Sequence, residues 1–372
     1  MSAAKRRAQI IVNVLLFLIV ALWTIPTLGL LVSSFRPREE IRSSGWWTVF
    51  PHRAFAPTGA TFPIPPDQTR DAPITVNNEA TNGRDVTATF SEWQAGVQVD
   101  GDTRLIWRGN LRTGTLIQQE LQWVYNLNFT FENYEEVMAG RNYELRRADG
   151  SVMRVQGENM IGAFLNSVTV TIPATVIPIL IAAFAAYGFA WMSFPGRRPL
   201  FILVVALLVV PLQIALVPIL RDYTALQLNG TYMGIWLAHT GFGLPLAVYL
   251  LYNYISNLPK EILESAFIDG ASHFTIFFRL VLPLSVPALA SFAIFQFLWV
   301  WNDYLVALIF LGITSAERQV LTYRIASLVG SRGSEWHLLT SAAFVSMVVP
   351  LLVFFGLQRY FVRGLMAGSV KG

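Results

Sequence analysis

Side chains able to do chemistry are few in this 372-residue chain. There is no cysteine, so thiolate nucleophiles, disulfides and Cys-ligated metals are excluded. The four histidines, His52, His239, His273 and His337, stand far apart and in no ligand spacing, which argues against a metal. No nucleophile–base pattern of an enzyme is apparent. No GxxxxGK[ST] phosphate cradle occurs, so the chain is not expected to bind ATP itself. Two sets of residues remain. One is a polar stretch, Leu258 to Pro287, carrying Glu261, Glu264, Asp269 and Gly270. The other is a handful of polar residues inside apolar runs: Asn166, Gln213, His239, Gln296, Asn302 and Asp303.

The apolar runs dominate the chain. It is 54% hydrophobic and only 13% charged, against about 25% charged in an ordinary soluble domain. Six runs are long enough to cross a bilayer core: Ile10–Val32, Phe164–Trp191, Leu200–Leu220, Tyr232–Ile255, Ala288–Leu311 and Leu338–Phe361. The expected class is an all-α polytopic membrane protein. The first run is too long for a cleaved signal core and reads as a retained span. The net charge of +4 comes from scattered basic residues flanking apolar runs, so nucleic acid is not an expected partner. Each span has a proline inside it or at its entry: Pro26, Pro173 and Pro178, Pro211 and Pro218, Pro245, Pro287, Pro350. Such prolines free carbonyls that neighbouring helices can satisfy. Membrane helices are richer in proline than soluble ones in any case.

Charge counting in the short loops sets the topology. With the N-terminus inside, Lys5, Arg6, Arg7, Arg197, Arg198, Lys260, Arg279, Arg359, Arg363 and Lys371 all lie inside. Only Arg221, Arg318, Arg324 and Arg332 fall in short outside loops. Both termini and the 258–287 loop are then cytoplasmic. The long polar region 33–161 lies outside. Its Val86, Ala88, Phe90 alternation and the Asp100-Gly101 turn between Val97, Val99 and Leu105, Trp107 predict a small β-rich insertion. Residues 55–80 are Pro- and Thr-rich and read as loop. Glu132 to Met138 reads as a short helix.

Within the 258–287 loop, Pro259 suits a first helical turn, and Glu261 and Glu264 suit its positive end. Ile262, Leu263, Ala266 and Phe267 give one apolar side. Gly270 stands where the helix should stop, and Ser272 can cap a second helix over His273–Leu282. Pro283 then marks a break into the fifth span. Periodicity alone leaves open a simple interfacial connector.

The spacing adds a resemblance. The chain reads Glu264-Ser265-Ala266, three residues, Gly270, nine residues, Leu280, one residue, then Leu282-Pro283. This resembles the cytoplasmic EAA loop of permease subunits in binding-protein-dependent ABC importers, with Ser for the second motif residue and Leu for Ile. WNDYLVALIF (Trp301–Phe310), the tail Gln358–Gly372 and FTFENYEEV (Phe129–Val137) are similar to the sugar-importing branch of maltose permease G-subunit type. The resemblance covers residues 10–36 and about 125–372. Residues 37–124 depart from it, and an enlarged loop of this kind resembles the α-glucoside and glucosylglycerol permeases.

The resemblance implies the type I importer permease fold. It implies a division into residues 1–32, an external region 33–161 and a five-helix core 162–372. It implies that Glu264, Ala266, Asp269, Gly270 and Pro283 form the element coupled to a cytoplasmic ATPase dimer, with Arg359 and Arg363 as tail contacts. A sister permease, an extracytoplasmic solute-binding protein and a sugar substrate are implied partners. ATP belongs to the partner ATPase. The location implied is a bacterial or archaeal plasma membrane. Polar intramembrane residues tend to face an interior, so Asn166, Gln213, Gln296, Asn302 and Asp303 are candidates for the translocation path. Helix–helix hydrogen bonding is the commoner role of Asn and Gln there. A secondary transporter is the alternative, but the spans offer almost no ionisable groups for ion coupling. A membrane scaffold or receptor is a further one.

Overall fold

The computed structural model describes residues 3–66, 68–69, 72–140, 143–146, 152–155, 160–311, 316–331 and 335–367. They cluster into two compact units, residues 39–129 and the remainder. The chain opens with α1 (Ala3–Ser34), whose apolar side chains are exposed along most of its length, as a lipid-facing span requires.

The smaller unit is β-rich. It carries α2 (Arg38–Ser43), β1 (His52–Pro63), β2 (Ile74–Val76), β3 (Val86–Ala88), α3 (Phe90–Ala95), β4 (Val97–Gln98), β5 (Thr103–Arg108) and β6 (Thr115–Val124). An antiparallel sheet runs in the order β1-β6-β5-β4, and β2 and β3 form a separate ladder. Trp93, Trp107, Leu105, Leu116, Ile74 and Val76 make its core. The Asp100-Gly101 turn joins β4 to β5 as expected.

Two expectations fail here. Residues 55–63 are strand, not loop. Their prolines are tolerated because β1 is an edge strand and its register shifts between Pro57 and Thr61. The alternation through Phe90 stops at Ala88. Thr89 and Glu92 form a capping box, with Thr89 N donating to Glu92 Oε2 at 2.7 Å, and this starts α3 instead. The β-rich compact unit spans residues 39–129, and residues from 130 onward cluster with the helices.

The helical unit continues with α4 (Glu132–Ala139), a hairpin of β7 (Tyr143–Arg146) and β8 (Val152–Val155), and α5 (Met160–Trp191). Then come α6 (Arg197–Ala206), α7 (Leu212–Ala225), α8 (Tyr232–Ile255), α9 (Lys260–Ile268), α10 (His273–Ile276) and α11 (Leu282–Leu284). The last are α12 (Val286–Asn302), α13 (Leu305–Phe310), α14 (Leu321–Ser331) and α15 (Trp336–Ala367). Among the described residues, four helices are long and apolar enough to cross a membrane: α1, α5, α8 and α15. Two bent pairs pass the same test together, which gives six spans if each pair is one.

The expected third span, 200–220, is therefore not one rod. Pro211 is extended (ψ 127°) and the helices on either side meet at 106°. The fifth differs too. α12 ends at Asn302, and Asp303, with extended backbone, separates it from α13. Its carboxylate accepts from Val306 N and Ala307 N at 3.3 and 2.9 Å, so a short polar side chain competes with helix continuation.

Small residues let the spans meet closely. Ala174, Ala182, Ala183 and Ala186 of α5 and Gly234, Ala238, Gly243 and Ala247 of α8 are buried. The predicted short helix α4 is clasped between α1 and α15. Asn133 Nδ2 donates to Ser34 O and Arg36 O, and Ser341 Oγ donates to Asn133 O.

Candidate coupling loop and intramembrane polar cluster

The 258–287 loop has a buried base and an exposed tip. Leu263 of α9 and Ile276, Phe277 and Val281 beyond the turn sink into a core with Ala182, Ala183 and Ala186 of α5 and Val248, Leu251 and Ile255 of α8. Phe277 stacks on Phe184 at 4.4 Å between ring centroids. His273 Nδ1 and Tyr187 Oη are 2.8 Å apart, which ties α10 to α5. Trp191 Nε1 donates to Ile255 O at 3.1 Å and closes the α5–α8 end of this core.

The turn between α9 and α10 is set by Gly270, whose φ of +78° favours glycine. Gly270 N donates to Phe267 O and Ala271 N to Ala266 O, both at 3.0 Å. This is a Schellman close, which satisfies the last carbonyls of α9. Ser272 Oγ then accepts from Thr275 N at 3.2 Å and caps α10. Glu264, Asp269 and Gly270 are exposed and Ala266 is half-buried beneath them. Ile268 and Phe274 flank the turn at 85% and 69% exposure. The tip thus offers two carboxylates and two large apolar side chains around a tight bend.

Pro283 does not sit at the bend expected of it. It lies in α11 behind a π-helical turn, Phe277–Val281, and is exposed. The 70° bend falls at Ser285 (φ −89°, ψ 1°), one residue before α12. Proline cannot donate to the carbonyl four residues back, which lies within the π turn.

The intramembrane polar residues are mostly occupied by backbone. Pro178 has no N–H for Ala174 O, and Gln296 Nε2 of α12 donates to that carbonyl at 3.0 Å. Pro173 likewise frees Thr169 O, which accepts from Trp236 Nε1 of α8 at 3.0 Å. Pro350 frees Ser346 O, which accepts from Trp301 Nε1 at 2.9 Å. Three proline-freed carbonyls thus each take a side-chain N–H from another span. Gly243 makes room for one donor, since a Cβ there would fall 2.5 Å from Gln296 Oε1.

Asn166 is tied as fully. Its Nδ2 donates to Glu317 O and Gln319 O at 2.6 and 3.0 Å, and its Oδ1 accepts from Tyr232 Oη at 2.7 Å. Asp303 caps α13, and its Oδ2 lies 3.8 Å from Nε2 of buried His239. Asn302 is exposed and, among the described residues, bonds locally to Leu298 O. Gln213 is exposed on α7 and makes no hydrogen bond among the described residues. The structure brings Gln296, His239 and Asp303 to one buried region but leaves Gln213 apart from it.

Residues 164–366 match the family described as the binding-protein-dependent transport system inner membrane component. The chain belongs to this family. It is 47% identical over 360 residues to the osmoprotective compounds uptake permease protein of Synechocystis sp., covering 97% of this chain and 91% of that protein. It is 46% identical over 389 residues to the alpha-glucoside transport system permease protein of Rhizobium meliloti, covering 97% of each. A crystal structure of a bacterial ABC transporter involved in the import of the acidic polysaccharide alginate shares the fold, with a TM-score of 0.58 at 15% identity over 97% of this chain and 99% of that one.

As an ABC permease subunit, the chain is a non-catalytic membrane component. The family match spans the loop and every proline–donor pair. In the tail of this permease, Arg359 donates to Tyr360 Oη at 2.9 Å and lies over its ring. The side chain of Arg363, and Lys371, lie outside the described residues. Two residues with structural duties escaped the sequence reading: Trp236, and Trp301 as a hydrogen-bond donor. The signal was the carbonyl four residues before each proline. The donor that reaches it depends on helix packing.

Proposed function

We propose that this permease carries an α-glucoside or maltose-like sugar, or a related compatible solute, and is driven by ATP hydrolysis in a cytoplasmic ATPase dimer. A sister permease completes the path, and an extracytoplasmic solute-binding protein delivers the solute. The names of the two full-length relatives support this substrate class. Both termini and the coupling loop face the cytoplasm, as the positive charge of the short loops favours.

The observation that carries the reading is the 258–287 loop, which we read as a lever. Its tip exposes Glu264, Asp269, Ile268 and Phe274 around Gly270, while its base is packed into α5 and α8. Such a tip suits a groove with cationic rims and an apolar floor. Ala266 permits close approach. Movement of the tip is passed through α11 and Ser285 to α12, which holds α5 by Gln296 and α15 by Trp301. Arg359 and Arg363 are secondary contacts to the same ATPase. For the path itself, Gln213 and Asn302 are the candidates whose side chains are exposed, whereas Asn166, Gln296 and Asp303 support it from behind.

The test is uptake by the reconstituted complex. Uptake that requires both ATP and the solute-binding protein is expected. Uptake driven by a proton gradient alone would overturn the reading in favour of a secondary transporter. Competition among α-glucosides, maltose-like sugars and glucosylglycerol then ranks the substrates.

A further inference from the structure

The smaller unit carries an aromatic row that neither the coupling loop nor the path uses. Beyond β6 the chain runs on outside any strand through residues 125–129. Asn126 Nδ2 donates to Glu40 Oε2 at 2.7 Å and Asn128 Nδ2 to Glu40 Oε1 at 2.9 Å. One carboxylate therefore holds both amides on the same side. Residues between them in an extended chain point the other way. Trp123, Tyr125, Leu127 and Phe129 are exposed by 72%, 66%, 59% and 50%. Asn126 N donates to Thr48 O at 2.9 Å, which sets this row beside the segment of Trp47 and Phe50, exposed by 60% and 58%. An exposed patch of this kind marks an interaction site.

Its place along the chain narrows the partner. Glu40, which clamps the row, follows Ser34, the end of α1, by six residues. Six residues reach at most about 21 Å. α1 is a span with an exposed apolar surface, so its end marks a bilayer surface. The row is continuous along the chain with that lipid-facing helix. Trp and Tyr concentrate at this level, where the ring is apolar and its polar tip is wet. A sugar-stacking platform fits less well. The neighbouring amides that would bond hydroxyls are turned away and held by Glu40, and Leu127 interrupts the rings.

We propose that Trp123, Tyr125, Leu127 and Phe129, with Trp47 and Phe50, seat the insertion in the lipid headgroup interface. The row then acts as an interfacial anchor for the insertion.

The absence of cysteine makes the test direct. Trp123→Cys, Tyr125→Cys and Leu127→Cys each give one site for a nitroxide label. Arg112→Cys, on an exposed turn of the same unit, is the reference. The labelled chain is placed in lipid nanodiscs as the assembled transporter, and collision with oxygen is compared with collision with a water-soluble nickel chelate. Labels at 123, 125 and 127 should favour oxygen, while the label at 112 favours nickel. Nickel preference at all sites would overturn the proposal. So would shielding from both reagents, whether constant or appearing only when the solute-binding protein is added, because the row would then be a protein-docking surface. Neither outcome bears on whether uptake needs ATP.

Discussion

The 258–287 loop and the intramembrane cluster use polar groups in opposite ways. At the loop tip, Glu264 and Asp269 are exposed to solvent. Inside the spans, Gln296 and Asn166 are bound to the backbone of other segments. A polar side chain in water can stay available to a partner at little cost. In hydrocarbon the same group must be satisfied at once, and a proline nearby supplies a carbonyl in the same condition. The difference separates residues left open to a partner from residues that hold this chain together.

The largest expected effect is at the loop. Gly270→Pro cannot adopt a φ of +78° and also removes the donor to Phe267 O. We predict normal insertion in the membrane but loss of the ATPase on co-purification, with transport at background. Full ATPase retention together with normal transport would erase the contrast between tip and spans.

The second prediction concerns Gln296. Gln296→Leu leaves Ala174 O without its donor and should cost about 1 kcal/mol. Pro178→Ala returns an N–H to the same carbonyl. If the pairing argument holds, Gln296→Leu costs less in the Pro178→Ala background, with a coupling of about 0.5 kcal/mol or more. Thermal unfolding of the four proteins in nanodiscs measures it. Strict additivity would mean that Gln296 serves another purpose.

Legibility in the sequence follows the same division. The loop was readable because its geometry is local: Glu264, Gly270 and Ser272 declare a helix, a left-handed turn and a cap within a few residues. The spans were readable by length, but their breaks at Pro211 and Asp303 were not, because a single proline or aspartate within an apolar run is compatible with either a kink or a stop. In the insertion, the Thr89–Glu92 box was local and present in the sequence, yet the period-two pattern before it masked it. β1 was hidden for a different reason. Its prolines are acceptable only at an edge or a bulge, and edge position is a property of the whole sheet. Likewise the prolines announced freed carbonyls, but Trp236, Gln296 and Trp301 could be matched to them only once the helices were packed.

A smaller effect is expected at Trp301. Trp301→Phe keeps an aromatic ring near Phe164 and Phe297 and removes only the Nε1 donor to Ser346 O. A loss of about 0.6 kcal/mol is predicted, typical of one interhelical hydrogen bond in a membrane. A Pro350→Ala background should shrink that loss, again read by thermal unfolding.

The smallest stability effect belongs to Gln213. It is exposed on α7 and makes no hydrogen bond among the described residues, so Gln213→Ala should change stability by less than about 0.5 kcal/mol. Its value lies in the contrast with Gln296. A residue that faces the solute alters uptake without altering stability, whereas a residue that holds helices alters both together. Measured side by side, Gln213→Ala should shift the concentration dependence of uptake at an unchanged unfolding temperature. An unchanged uptake curve would assign Gln213 to lipid or to the sister subunit, and would move the path away from α7.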